Sequence, residues 1–268
     1  MQNGAVSFGN WLRFGIVALA AVITALSAFA AEDPEISSRR TAQRTTFTDA
    51  EIADGFFKTA FGAEMHRGGQ VDRIRKYDVP VRVYVDHVSG PDRRQAVSKT
   101  IADIKRHIEH LDIAPAQRRE DANIVVTLIR ERDFPRAVRN LYGGDSRNIM
   151  KTLDPQCLSG FRKDATFRIV HSNVILVTDV DNFTFLDCAY EELLQALGPI
   201  NDDDSVPWTM FNDDVQMGFF DIYDQYILNI LYHPRVRPGM RPDEVRALLP
   251  DILPEVRAFI GRVNDNAQ

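Results

Sequence analysis

The sequence predicts an α+β domain: a mixed β-sheet with a crossover helix, a motif-bearing helix and a C-terminal helical part. Three stretches carry this reading. Residues 79–85, VPVRVYV, alternate in polarity and are β-branched, as a strand requires. Residues 92–111 place Val97, Ile101, Ile104, Ile108 and Leu111 at steps of three and four, the period of an amphipathic helix. Residues 123–129, NIVVTLI, are apolar enough for a strand covered on both faces. A strand, a helix and a neighbouring strand pack most simply as a crossover on one sheet. The 268 residues, 44% hydrophobic and 26% charged, suit such a domain, and no period of about 20–50 residues is visible.

Taken in order, Arg13 is followed by the apolar run FGIVALAAVITALSAFAA, which ends in Ala28-Phe29-Ala30. Small residues at both positions read by a signal peptidase place cleavage near Ala30-Ala31 and location in the periplasm or outside the cell. The alternative is an uncleaved anchor, because about eighteen residues is the lower limit for spanning a bilayer. Residues 31–50 are polar and read as a flexible linker. Thr48-Asp49-Ala50-Glu51 then has the form of a capping box, ahead of Ile52, Phe56, Phe57 and Phe61, with Gly68-Gly69 as the stop. Pro80 restricts its strand to an edge or makes it the strand's start.

Residues 132–165 read as irregular, with two short β runs after them at 166–171 and 173–178. A helix from near Cys188 to Gly198-Pro199, a second at about 216–232, and a last helical pair broken at Pro250 and Pro254 complete the chain. The expected organisation is a leader at 1–30, a linker at 31–50, a domain at 51–250 and a helical tail at 251–268. A formal charge of −6 argues against a nucleic-acid partner, which would call for a basic face. The two cysteines, Cys157 and Cys188, most simply form one disulfide in an exported protein; two buried thiols are the alternative.

The motif lies in EELLQALGPIND, residues 191–202. The metzincin zinc-protease pattern is H-E-x-x-H-x-x-G-x-x-H-D. Glu192, Gly198 and Asp202 stand where it has Glu, Gly and Asp, whereas Glu191, Gln195 and Asn201 stand in place of the three histidines. One carboxylate and two amides are a poor set for zinc, so no zinc and no other cofactor is expected. Met210, in SVPWTMFND, and a helix ending Leu231-Tyr232 lie where metzincins of the matrixin kind have their Met-containing turn and closing helix. The chain therefore resembles a zincin-like scaffold. That resemblance gives Gly198 and Met210 structural roles, the turn and the packing beneath the helix.

Cys188-Ala-Tyr-Glu191-Glu192-Leu-Leu-Gln195, Gly198-Pro-Ile-Asn201-Asp202, Met210-Phe211-Asn212-Asp213 and Leu231-Tyr232 through Pro238-Gly239-Met240 also resemble a family of exported proteobacterial proteins. That family is known only as domain of unknown function 2927. The resemblance spans about residues 50–245 and implies a shared fold and location, but no activity.

Two readings of function follow. One is a non-peptidase binding or envelope-associated protein that holds an extended peptide or an envelope protein against the sheet edge. The other is a hydrolase in which the crowded carboxylates of Glu191, Glu192, Asp202, Asp203 and Asp204, with Glu191, Glu192 and Asp202 as its leading candidates, perform general acid–base chemistry; the alternative is that Asp202 to Asp204 line a solvated turn. His107 and His110, i and i+3 on a helix, are a possible metal pair without a third ligand and fit surface positions better. Arg235, Arg237 and Arg241 form a basic cluster that would pair with nearby carboxylates or take an anion.

Overall fold

A computed structural model of the chain describes residues 33–62, 72–152 and 157–265. The expected leader and the Gly68-Gly69 stop lie outside the described residues. The elements run α1 (Pro34–Ala42), α2 (Asp49–Ala60), β1 (Val81–His87), α3 (Arg94–His107), β2 (Ile113–Pro115) and β3 (Ile124–Ile129). Then come α4 (Phe134–Tyr142), α5 (Ser146–Thr152), β4 (Cys157–Lys163), β5 (Ile169–Val177), α6 (Asn182–Gln195), α7 (Ile222–Tyr232) and α8 (Pro242–Asp265).

The strands form one five-stranded sheet in the order β2-β1-β3-β5-β4, parallel except for the outer strand β4, which runs antiparallel to β5. β3 is central, and its apolar run divides between two faces. Ile124, Val126 and Leu128 join the main core, whereas Ile129 joins a smaller cluster with Phe134, Val138, Ile149 and Leu158. Burial on both sides explains why β3 lacks alternation. On α3, Val97, Ile101 and Ile104 are fully buried. Asn229 closes that helix, its Nδ2 donating to the His107 carbonyl at 2.7 Å and its Oδ1 accepting from Glu109 N–H at 3.0 Å. The capping box forms as expected: Glu51 N–H donates to Thr48 Oγ1 at 3.2 Å and Thr48 N–H to Glu51 Oε2 at 2.8 Å.

Of the two places open to Pro80 the strand's start holds: it precedes β1, which lies inside the sheet, and the first ladder donor is Val81 N–H, to the Asp112 carbonyl. Other expectations are corrected. The described residues between 132 and 165 are not irregular but form α4, α5 and β4. Their apolar positions are sparse because Phe134 and Val138, one turn apart, cover only a small face of the sheet. The two β runs after them are one strand, β5, paired along β4. α6 begins at Asn182 because Asp181 caps it, accepting from Thr184 N–H at 3.0 Å. α7 begins at Ile222, later than expected, behind the cap Asp221.

α8 is one helix through Pro250 and Pro254. Each internal proline costs about 3 kcal/mol in an isolated helix, but here Leu249, Ile252, Leu253, Val256, Phe259 and Ile260 bury one face against the core. The polar lead-in also orders: residues 34–42 form α1, capped by Asp33, with Ile36 only 2% exposed. Arg257 of α8 then donates to the Phe47 carbonyl at 2.8 Å, which fixes the stretch between α1 and α2.

α2 and α7 approach closely at Gly55. A Cβ there would lie 2.2 Å from the Tyr223 hydroxyl, which itself donates to the Glu51 carbonyl at 2.6 Å. Gly55→Ala is therefore expected to destabilise the domain by about 1–3 kcal/mol through overpacking, despite alanine's better helix propensity. Urea denaturation checks this; a gain in stability would show that the helices separate freely at that point.

Candidate functional site

α6 carries the motif and is tied to the outer strand twice. Cys157 at the start of β4 and Cys188 of α6 form a disulfide closing 31 residues of sequence separation. Two residues along β4, Ser159 Oγ donates to Gln195 Oε1 at 3.1 Å. The turn that follows α6 is made at Gly198, whose φ of +143° suits glycine and where a Cβ would stand 2.3 Å from the Arg75 carbonyl. No other residue can take that turn without displacing the strand of backbone that leads to β1.

Beyond the turn the chain doubles back over α2. Asn201 Nδ2 donates to the Lys58 carbonyl at 2.8 Å, and Asn201 N–H donates to the Thr59 carbonyl at 3.3 Å. Carbonyls in the last turn of a helix have no intrahelical partner, so Asn201 serves as a C-terminal cap for α2. Its amide is spent on α2 rather than on Gln195.

The neighbouring residue takes that place. Gln195 Nε2 donates to Asp202 Oδ1 at 2.9 Å. Oxygens of Glu191, Asp202 and Asp213 all lie within 4.8 Å of one another. Gln195 thus accepts from β4 with one end of its amide and donates to the acid cluster with the other, a pairing that requires the amide in this orientation. Asp187, one turn before Glu191 on α6, accepts from Met217 N–H at 2.7 Å and Gly218 N–H at 2.9 Å; burial nevertheless raises its pKa.

Burial pushes Glu191 well above the usual 4.5, and the charges of Glu192, Asp202, Asp187 and Asp213 push it further the same way. The folded state therefore favours the protonated carboxyl. The sign follows from linkage: Glu191 favours folding most at acid pH, and that contribution is lost as pH rises above 4.5 through its raised folded value. Any cation seated among the three carboxylates would reverse the penalty. Three carboxylates are a hard oxygen set, suited to calcium or to an ammonium or guanidinium group, and unlike the nitrogen and sulfur set zinc selects.

The other sequence candidates separate. Glu192 is 6% exposed and lies where its charge, after burial, helps push the Tyr142 phenol up to about 12. Asp203 turns back on Ser205 N–H at 3.0 Å in a local turn, and Asp204 is exposed. Met210 is buried, and its N–H donates to Asp224 Oδ2 at 2.8 Å, while the Thr209 hydroxyl donates to Oδ1. Asp224 is fully buried; desolvation, then the Asp221 charge, raises its pKa well above the ordinary carboxylate value.

His107 bonds to the Asp103 carbonyl at 3.0 Å, while His110 packs edge-on against His233 at 5.9 Å, so the histidines form no pair. Arg235 pairs with Asp251 at 2.9 Å and Arg241 with Asp243 at 3.0 Å. Asp213 is the cluster member that motif reading missed. It falls three residues after Met210, in FNDD, and only the return of the chain to α6 brings it to Glu191.

Gln195→Glu would remove the donor to Asp202 and add a fourth carboxyl beside three. It is expected to cost about 1–3 kcal/mol near neutral pH. Much of the loss should recover at about pH 4, where the new carboxyl protonates. Urea melts at the two pH values check this; equal loss at both would mean that charge is not what Gln195 controls.

The family model described as Protein of unknown function (DUF2927) matches residues 49–251. No curated protein and no solved structure matches the chain.

Proposed function

The chain belongs to the DUF2927 family, and we propose that it is an exported, non-peptidase binding protein on a metzincin-like scaffold. Its ligand is an extended peptide or an envelope protein segment laid along β4, with a basic side chain seated in the acid cluster. The observation that carries this reading is the convergence of Glu191, Asp202 and Asp213 within 4.8 Å, on the helix that Gln195 joins to β4. Carboxylates so close repel one another and favour a cation among them. β4 is the outer strand, hydrogen-bonded to β5 on one side, and such an edge offers backbone groups for strand addition.

The scaffold reading rests on the sequence features shared with metzincins: the helix, the Gly198 turn and the Met210 turn. The non-peptidase reading rests on the roles of the replaced positions, since Gln195 is a bridge and Asn201 a cap. Export is supported by the disulfide, which persists in oxidising compartments, and by the apolar run ahead of Ala30-Ala31. Among the described residues, no helix is long and apolar enough to cross a membrane.

Fluorescence anisotropy with labelled alternating valine–lysine and valine–glutamate peptides tests the proposal. The lysine peptide should bind and the glutamate peptide should not. Asp213→Asn, at an exposed position, should weaken binding about tenfold, the size of one exchanged charge contact. Equal binding of both peptides, or of neither, would sink the proposal, as would one zinc per chain by elemental analysis.

A second reading is favoured by one observation: the Glu191 carboxyl lies with those of Asp202 and Asp213 within 4.8 Å, where burial and neighbouring charge raise its pKa. A raised pKa of this kind is what a hydrolase needs in a general acid. Turnover of a peptide or ester substrate that is lost in Glu191→Gln would establish it in place of the binding role.

A further inference from the structure

A cavity of about 560 Å³ opens at the start of β1, between the turn that leads into β5 and the turn that follows α7. Its size falls within the range of small-molecule sites, roughly 300–1,000 Å³. Its wall is largely apolar, with Val79, Leu111, Tyr232 and Val236 among the lining residues.

Its charges are unevenly matched. Asp78 is taken by Arg168 at 2.7 Å, and Asp112 by Arg82 at 3.0 Å. Two cations also line the cavity. Lys76, 6% exposed, donates to the Leu231 carbonyl at 2.6 Å and the Val236 carbonyl at 2.9 Å, and stands 5.0 Å from the Tyr232 ring centre. Arg237 is exposed at the rim, and no carboxylate among the described residues pairs with it. An ammonium has three N–H donors; the carbonyls take two and bring no negative charge.

A buried ammonium whose hydrogen bonds go to neutral carbonyls carries a desolvation penalty. Burial takes Lys76 down to about 7, with the Asp78 charge pulling it partly back. An anion entering the cavity would offset that penalty and fill the third donor position. Arg237 supplies the planar fork that grips a carboxylate.

We infer that this cavity is a binding site for a small organic carboxylate, its head between Lys76 and Arg237 and its apolar body against Leu111, Tyr232 and Val236. The site is separate from the acid cluster and of opposite charge, so it stands whether or not the peptide reading holds.

Isothermal titration calorimetry of the full chain with benzoate and hexanoate tests it, with benzamide as the neutral isostere and inorganic phosphate as the competing anion. Both carboxylates should bind, and benzamide should be at least about tenfold weaker, the loss of one charged contact. Lys76→Met should abolish carboxylate binding. Should that variant fail to fold, Arg237→Gln, at an exposed position, should still weaken benzoate about tenfold. The inference fails if neither carboxylate binds at roughly millimolar concentration. It also fails if benzamide matches benzoate, if phosphate binds more tightly than both carboxylates, or if Arg237→Gln leaves the affinity unchanged.

Discussion

The termination of α6 sets the position of nearly everything that could act in this molecule. Gly198 passes so close to the Arg75 carbonyl that only a hydrogen fits at its Cα. The chain can then double back and set Asn201 on the end of α2 and Asp202 under Gln195. That one turn joins three layers: the segment entering β1, the helix α2 and the outer strand β4. Moving it would loosen the cap of α2, the bridge to Ser159 and the spacing of the carboxylates together, because the same few residues carry all three.

Buried acid is the recurring material of this half of the protein, and it is used in two ways. Beneath the Met210 turn, Asp224 is enclosed and accepts from the Thr209 hydroxyl and the Met210 amide, so it acts as a polar peg within the core. Around Glu191 the acids are only partly enclosed, and every leading influence on that residue raises its pKa. A hydrogen-bonded network rigidifies, whereas carboxyls gathered this closely favour a cation among them. The cavity by Lys76 is the cationic counterpart: an ammonium kept dry by carbonyls, facing open volume.

Much of the scaffold was legible in the sequence because local and tertiary demands agree. The capping box at Thr48 forms as written, the α3 period places its buried face, and the continuous run 124–129 is the doubly covered strand. Legibility failed where tertiary packing overrides local signals. Phe134 and Val138 cover a small sheet face, too little for a period to emerge among arginines. Pro250 and Pro254 look like breaks, yet α8 continues because its buried side chains hold it. At the site the motif alignment leads to one neighbourhood, where Asn201 bonds to α2 and the next residue, Asp202, bonds to Gln195. Asn201 and Asp202 are adjacent, and only the direction of the chain after Gly198 decides which faces α6. Asp213 reaches Glu191 by a return of the chain that no spacing rule encodes.

The contact of Arg257 with the Phe47 carbonyl and Asp49 spans nearly the whole domain in sequence. Chains are made from the N-terminus onward, and domains complete as units. The stretch between α1 and α2 is already held by α7, where Ile222 N–H donates to Gln43 and Tyr223 packs on Phe47, and the Arg257 contact is the last of its anchors to be made. A partly synthesised chain therefore lacks this one clamp. Proteolytic trimming of α8 would remove it and loosen the stretch between α1 and α2 as well.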